Sequence, residues 1–68
     1  MKWTDSETVA AALAEKFPEL DPLTLRFTDL RKRVLELDGF DDEPARSNEP
    51  KLEAIQMAWY EEWKENHE

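Results

Sequence analysis

The sequence contains no cysteine, and that absence excludes the most. A disulfide framework, a thiolate zinc site, a cysteine nucleophile and a cysteine-ligated cluster all fall with it. Histidine occurs once, as His67 close to the C-terminal end, where a solvated tail is the default. Glycine also occurs once, as Gly39, so no glycine-rich phosphate loop can be assembled. No serine or threonine is paired with a base that a fold would hold beside it. In 68 residues there is little volume for a closed pocket that would raise a carboxyl pKa. Catalysis is therefore not expected. No apolar run approaches the roughly 20 residues that span a bilayer. Met1-Lys2-Trp3-Thr4-Asp5 lacks the basic and then apolar regions of a secretory signal. The expectation is a soluble, cytoplasmic protein.

Basic residues are scarce as well. Seventeen acids against nine bases leave a net charge of −8, a large field for so small a chain, and one that steers association with a basic partner. Nucleic acid is disfavoured because affinity there comes mainly from Lys and Arg neutralising phosphates; an anionic membrane surface is disfavoured for the same reason. Self-repulsion favours a monomer.

What is present is apolar material: 40% of the chain, with three Trp and three Phe. That is too much for a disordered acidic tail and enough for one core, so residues 1–68 are read as a single domain held by packing alone. Domains of this size bury only about 60% of the surface their unfolded chains expose, which leaves a thin margin of stability.

Hydrophobic spacing predicts an all-α protein with little or no sheet, since no segment alternates apolar and polar residues. A first helix is expected after Thr4, with Glu7 in capping-box register, Val9, Leu13 and Phe17 on one face, and Pro18 as its stop. Asp21-Pro22 is a second start signal, for a short turn only. Thr28-Asp29 is expected to cap a third element whose stripe is Phe27, Leu30, Val34 and Leu37, with Gly39 at its left-handed C-terminal position. Residues 38–48 read as a loop, and the last helix begins near Ser47 to Pro50 and carries Leu52, Ile55, Trp59 and Trp63 on one stripe. Three main helices, with a short one between the first two, suggest a small winged-helix-like, modified helix-turn-helix domain.

Three groups of residues invite a functional reading. Glu36, Asp38, Asp41, Asp42 and Glu43 form the densest acidic stretch. It is either a solvated loop or an oxygen-ligand site for a hard cation such as calcium, magnesium, manganese or ferrous iron; its spacing does not match an EF-hand. Arg31-Lys32-Arg33 would serve nucleic acid if the third element lay in a major groove, or else pair with Asp29 and Glu36 at helical spacing. Trp59 and Trp63 read as core, with Trp63, in a charged turn, the one suited to anchoring a partner.

Lys2-Trp3-Thr4-Asp5, Arg26-Phe27-Thr28-Asp29-Leu30, and Phe40-Asp41-Asp42-Glu43-Pro44 followed by Ser47-Asn48-Glu49 have no general physical reason to occur together. With Asp21-Pro22 and Leu52-Glu53-Ala54-Ile55, they resemble the IscX family of bacterial iron–sulfur cluster assembly proteins, in order and over essentially the whole chain. The resemblance implies a modified winged-helix fold without nucleic-acid binding. It implies an acidic face that docks on the cysteine desulfurase IscS, at a basic region shared with frataxin and ferredoxin, and weak binding of iron. Asp5, Asp29, Asp41, Asp42 and Glu43 lie within the matching strings and are the expected partner-facing acids; Glu36, Asp38, Asp41, Asp42 and Glu43 are the expected ligands of ferrous iron. The chain departs from the family pattern at Arg33, where an aromatic is usual, at Pro50-Lys51, and in having no cysteine on the Arg33 helix. A desulfurase hands sulfur to thiols, so this protein can regulate, compete or deliver iron, but it cannot carry sulfur. The rival readings are a nucleic-acid module built on Arg31, Lys32 and Arg33, and an interaction module with no role for metal.

Overall fold

A computed structural model describes residues 1–67 of the chain. Three α-helices carry the fold: α1 (Ser6–Lys16), α2 (Phe27–Leu35) and α3 (Glu49–Asn66). Short 3-10 turns at Pro22–Thr24 and Pro44–Arg46 sit in the two connections, and no strand occurs among the described residues. The all-helical expectation therefore holds, with α1 and α3 forming the main interface, α2 packed chiefly on α3, and the first 3-10 turn laid against α3. The Cα radius of gyration is 10.7 Å, against about 11 Å expected for a folded chain of this length. No helix among the described residues is long and apolar enough to cross a membrane.

Each helix contributes the stripe its spacing implies. Val9, Ala10, Leu13 and Ala14 from α1, Leu30 and Val34 from α2, and Leu52, Ile55 and Trp59 from α3 are buried in one cluster, joined by Leu37 and by Trp3 from ahead of α1. Phe17, Phe27 and Trp63 are only partly buried at its edge.

Two helix starts differ from their expected positions. α1 begins after Asp5, not Thr4, and the Asp5 carboxylate turns backwards to accept from the Lys2 N–H at 2.8 Å instead of capping the helix. α2 begins at Phe27, after Arg26, so Thr28 and Asp29 lie inside its first turn. Asp29 there favours the positive end of the helix dipole without acting as a cap. The other two starts lie where expected, that of α3 within Ser47 to Pro50 and with its cap, which the sequence leaves open, at Asn48. Asp21 accepts from the Leu23 N–H at 2.9 Å ahead of Pro22, and Asn48 accepts from the Lys51 N–H at 3.0 Å ahead of α3. Gly39 does have a left-handed backbone, φ +83°. It stands one residue before Phe40 in the turn that Phe40 N–H closes on the Leu37 carbonyl at 3.2 Å, beyond the C-cap Glu36. That is the place in a tight turn where positive φ favours glycine.

Candidate functional site

The α2–α3 loop is built around Trp3. Its ring is fully buried and meets Phe40 edge-on, with centroids 4.8 Å apart. Its indole N–H donates to the Glu43 carbonyl at 2.7 Å, and its backbone N–H donates to Asp42 Oδ2 at 3.1 Å. The segment ahead of it is tied in the same way. Asp41 N–H donates to the Met1 carbonyl at 3.1 Å, the Met1 amine donates to the Gly39 carbonyl at 2.9 Å, and Lys2 Nζ donates to the Asp41 carbonyl at 2.9 Å. The expected ligand loop is thus a clasp that closes over the N-terminal segment across some 40 residues of sequence.

The two aspartates of the clasp differ in what they show to solvent. Asp42 is 10% exposed and Asp41 is 64% exposed. Besides Trp3, Asp42 accepts from the Glu43 N–H at 2.8 Å and lies 3.9 Å from Arg46 Nη1. Asp41 accepts from the Met1 amine at 3.0 Å and lies 3.4 Å from Lys2 Nζ. Both carboxyls are held below their ordinary value of 3.8, Asp41 first by the hydrogen bond from the Met1 amine and Asp42 first by the Trp3 N–H. Hydrogen bonds to the charged form outweigh desolvation in each case. Glu43 enters the clasp through its backbone alone, and its side chain is left exposed.

The other expected site residues lie apart from the clasp's bonding. Asp5 and Asp29 are exposed at the starts of their helices. Glu36 ends α2, its backbone carbonyl accepting from Lys16 Nζ at 3.1 Å, and Asp38 borders a shallow depression with Ala12, Glu15, Lys16 and Leu37. Among the described residues, no three Asp, Glu or His side chains converge as metal ligands would. Glu36, Asp38, Asp41, Asp42 and Glu43 are therefore not a preformed cage: Asp42 turns inward to Trp3, and Asp41, though exposed, is paired with the Met1 amine and Lys2. The residues present do not fit a resident metal centre.

The basic triplet is also turned to structural use. Arg31 Nε donates to Ser47 Oγ at 3.0 Å, and Arg31 Nη2 reaches the Pro44 carbonyl at 3.3 Å, so Arg31 fastens the loop to α2. Arg33 lies over the Phe17 ring, 4.8 Å from its centroid, a cation–π contact that gives this arginine a place at the edge of the core. Lys32 alone is exposed. The expected ion pairs to Asp29 and Glu36 are not formed among the described residues. An exposed pair at helical spacing gains well under about 1 kcal/mol, and Arg31 and Arg33 make other contacts instead.

Trp63 is half-buried between Tyr60, stacked at 6.2 Å, and His67 at 4.5 Å. The His67 ring is not a free tail: Nε2 lies 2.9 Å from the Pro18 carbonyl. The spacing of four residues between Trp63 and His67 was the available signal. Nothing in local spacing pointed to the roles of Lys2 and Trp3, whose partners lie far along the chain.

Residues 1–64 match the model of a protein family described as iron-sulphur cluster assembly. An uncharacterized protein of Pseudomonas aeruginosa is similar to this chain, with 53% identity over 62 residues covering 91% of this chain and 94% of that protein.

Proposed function

This chain belongs to the iron–sulphur cluster assembly family, that of IscX, and from that premise we propose that it is a cytoplasmic adaptor which docks on a cysteine desulfurase and regulates it. A part in cluster assembly follows from the family; the desulfurase as partner is the further step. The observation that carries it is the match over residues 1–64, in a chain whose net charge of −8 suits a basic docking surface. The same reading makes frataxin and ferredoxin competitors for that surface, and treats the helical arrangement as a modified winged helix. Neither nucleic acid nor a membrane is among the proposed partners.

Calorimetry against the desulfurase of the same organism tests the reading. Saturable binding is expected at low ionic strength, weakening by about tenfold or more on passing to physiological salt, because exposed charges separated by more than a Debye length are then screened. Absence of binding at low salt would remove the desulfurase as partner while leaving the family standing.

Ferrous iron enters this proposal as a weakly held cargo. With no preformed cage, its ligands are solvent-facing carboxylates: Glu36, Asp38, Glu43 and the outward side of Asp41. Asp42 is withheld because its oxygens accept from Trp3 and Glu43. Anaerobic titration followed by NMR should shift residues 36–43 in fast exchange, with no plateau at equimolar iron, and leave the Trp3 indole signal in place. A plateau at one equivalent, or shifts elsewhere only, would rule out this assignment.

A further inference from the structure

The large apolar side chains that the fold leaves most exposed are Leu23 and Met57, at 51% and 48%. Leu23 tops a three-residue turn. Met57 stands in the middle of α3, and helical spacing sets it on the side opposite Leu52, Ile55 and Trp59, the residues by which α3 enters the core. A single exposed methionine is ordinary on a protein surface; its surroundings distinguish this one. Glu53 and Glu61 lie four residues before and four after it, one turn away on either side. Ala54, three before, keeps the surface low on one side, and Tyr60, three after, is half-buried with Lys64 Nζ 5.8 Å from its ring. Glu53 is exposed and forms no salt bridge among the described residues, and Glu61 pairs only with exposed Lys64, at 3.6 Å. The result is one raised, flexible apolar side chain between two carboxylates, on a rigid 18-residue helix.

This pattern selects its occupant. A nucleic acid or an anionic membrane would meet like charge, and a second copy would bring a further net charge of −8. A cationic protein surface with an apolar pocket rimmed by Lys or Arg complements both parts of the pattern. Methionine adapts to such a pocket at small entropic and steric cost. We propose that the outer face of α3, with Met57 as apolar anchor and Glu53 and Glu61 as flanking charges, is a docking surface for a basic protein partner. The inference rests on the desulfurase reading for the identity of that partner. It shares no residue with the 36–43 loop, so the two can be separated by substitution.

The test is calorimetry of the full chain against the desulfurase at low salt. Met57→Asp should weaken binding by about tenfold or more, as loss of a central apolar anchor does, while Met57→Leu stays within about threefold. Glu53→Gln with Glu61→Gln should flatten the salt dependence. Because Met57 is exposed and lies outside the buried core cluster, all of these variants should keep the wild-type helical circular dichroism, which is recorded alongside. Wild-type affinity for Met57→Asp, beside clear binding by the wild type, overturns the inference alone. Failure of the wild type to bind overturns the desulfurase reading and takes this inference with it.

Discussion

Trp3→Ala should lower the urea midpoint by about a third of its value or more, up to complete unfolding. Trp3 precedes the first helix, yet it is among the largest fully buried side chains of the protein. Truncating a buried tryptophan to alanine costs about 3–5 kcal/mol, from lost transfer free energy and the cavity left behind. A domain of this length has about 3–10 kcal/mol in total, so the substitution removes from a third of the stability to all of it. Trp3→Phe separates two components. It keeps most of the apolar ring but deletes the donor to the Glu43 carbonyl, a net loss of about 1 kcal/mol for the bond, more if the carbonyl is left dry. Urea melts of both variants followed by circular dichroism decide the matter. A wild-type midpoint for Trp3→Ala would show that the N-terminal segment is not part of the core.

Removing the two clasp aspartates, Asp41→Ala with Asp42→Ala, should lower the melting temperature and shift Trp emission before any partner is added. Trp3 N–H loses its acceptor, and Lys2 loses the carboxylate beside it. The variant should also bind the desulfurase about tenfold or more weakly, since docking and folding are lost together. Glu43→Gln is the informative companion. Its backbone carbonyl, not its carboxylate, holds Trp3, so its melting temperature should match the wild type and any fall in affinity reports docking alone. If the double variant melted like the wild type, the clasp would carry no stability.

Acid provides an independent signature of the same contacts. Asp41 and Asp42 are held below 3.8 in the folded protein. Between the ordinary and the lowered values, the unfolded chain therefore binds more protons than the native one. Their contribution is fully present above the ordinary carboxylate range and is lost as pH falls through the lowered folded values. Thermal melts from pH 7 to pH 3 should show the wild type losing stability on the acid side more steeply than the double variant. Parallel curves would exclude the two carboxylates as the source.

The clasp also shows why the acidic stretch was open to two readings. Five acids in eight residues, Glu36 to Glu43, have the composition of a hard-cation loop, and their spacing carries no information about what lies across from them. Asp41 and Asp42 found their partners in residues 1–3, a contact between chain segments that no local pattern encodes. The same holds for the basic triplet. Helical spacing brought Arg31, Lys32 and Arg33 near Asp29 and Glu36, whereas Ser47, the Pro44 carbonyl and the Phe17 ring, all on other elements, took the two arginines.

By itself the sequence determined the class of fold, most of the buried stripe of each helix, the start of the Asp21 turn and the approximate start of α3, and the sign of the protein's own field. These are legible because helical periodicity, side-chain capping and net charge act between neighbours, or over the whole surface at once. Only the tertiary structure decided that Trp3 belongs to the core, that Asp42 is a structural acceptor, that Arg33 lies on Phe17, and that Met57 faces outward between two glutamates. Each of these depends on which segments meet after collapse, where a hydrogen bond or a buried ring joins residues that the chain itself keeps far apart.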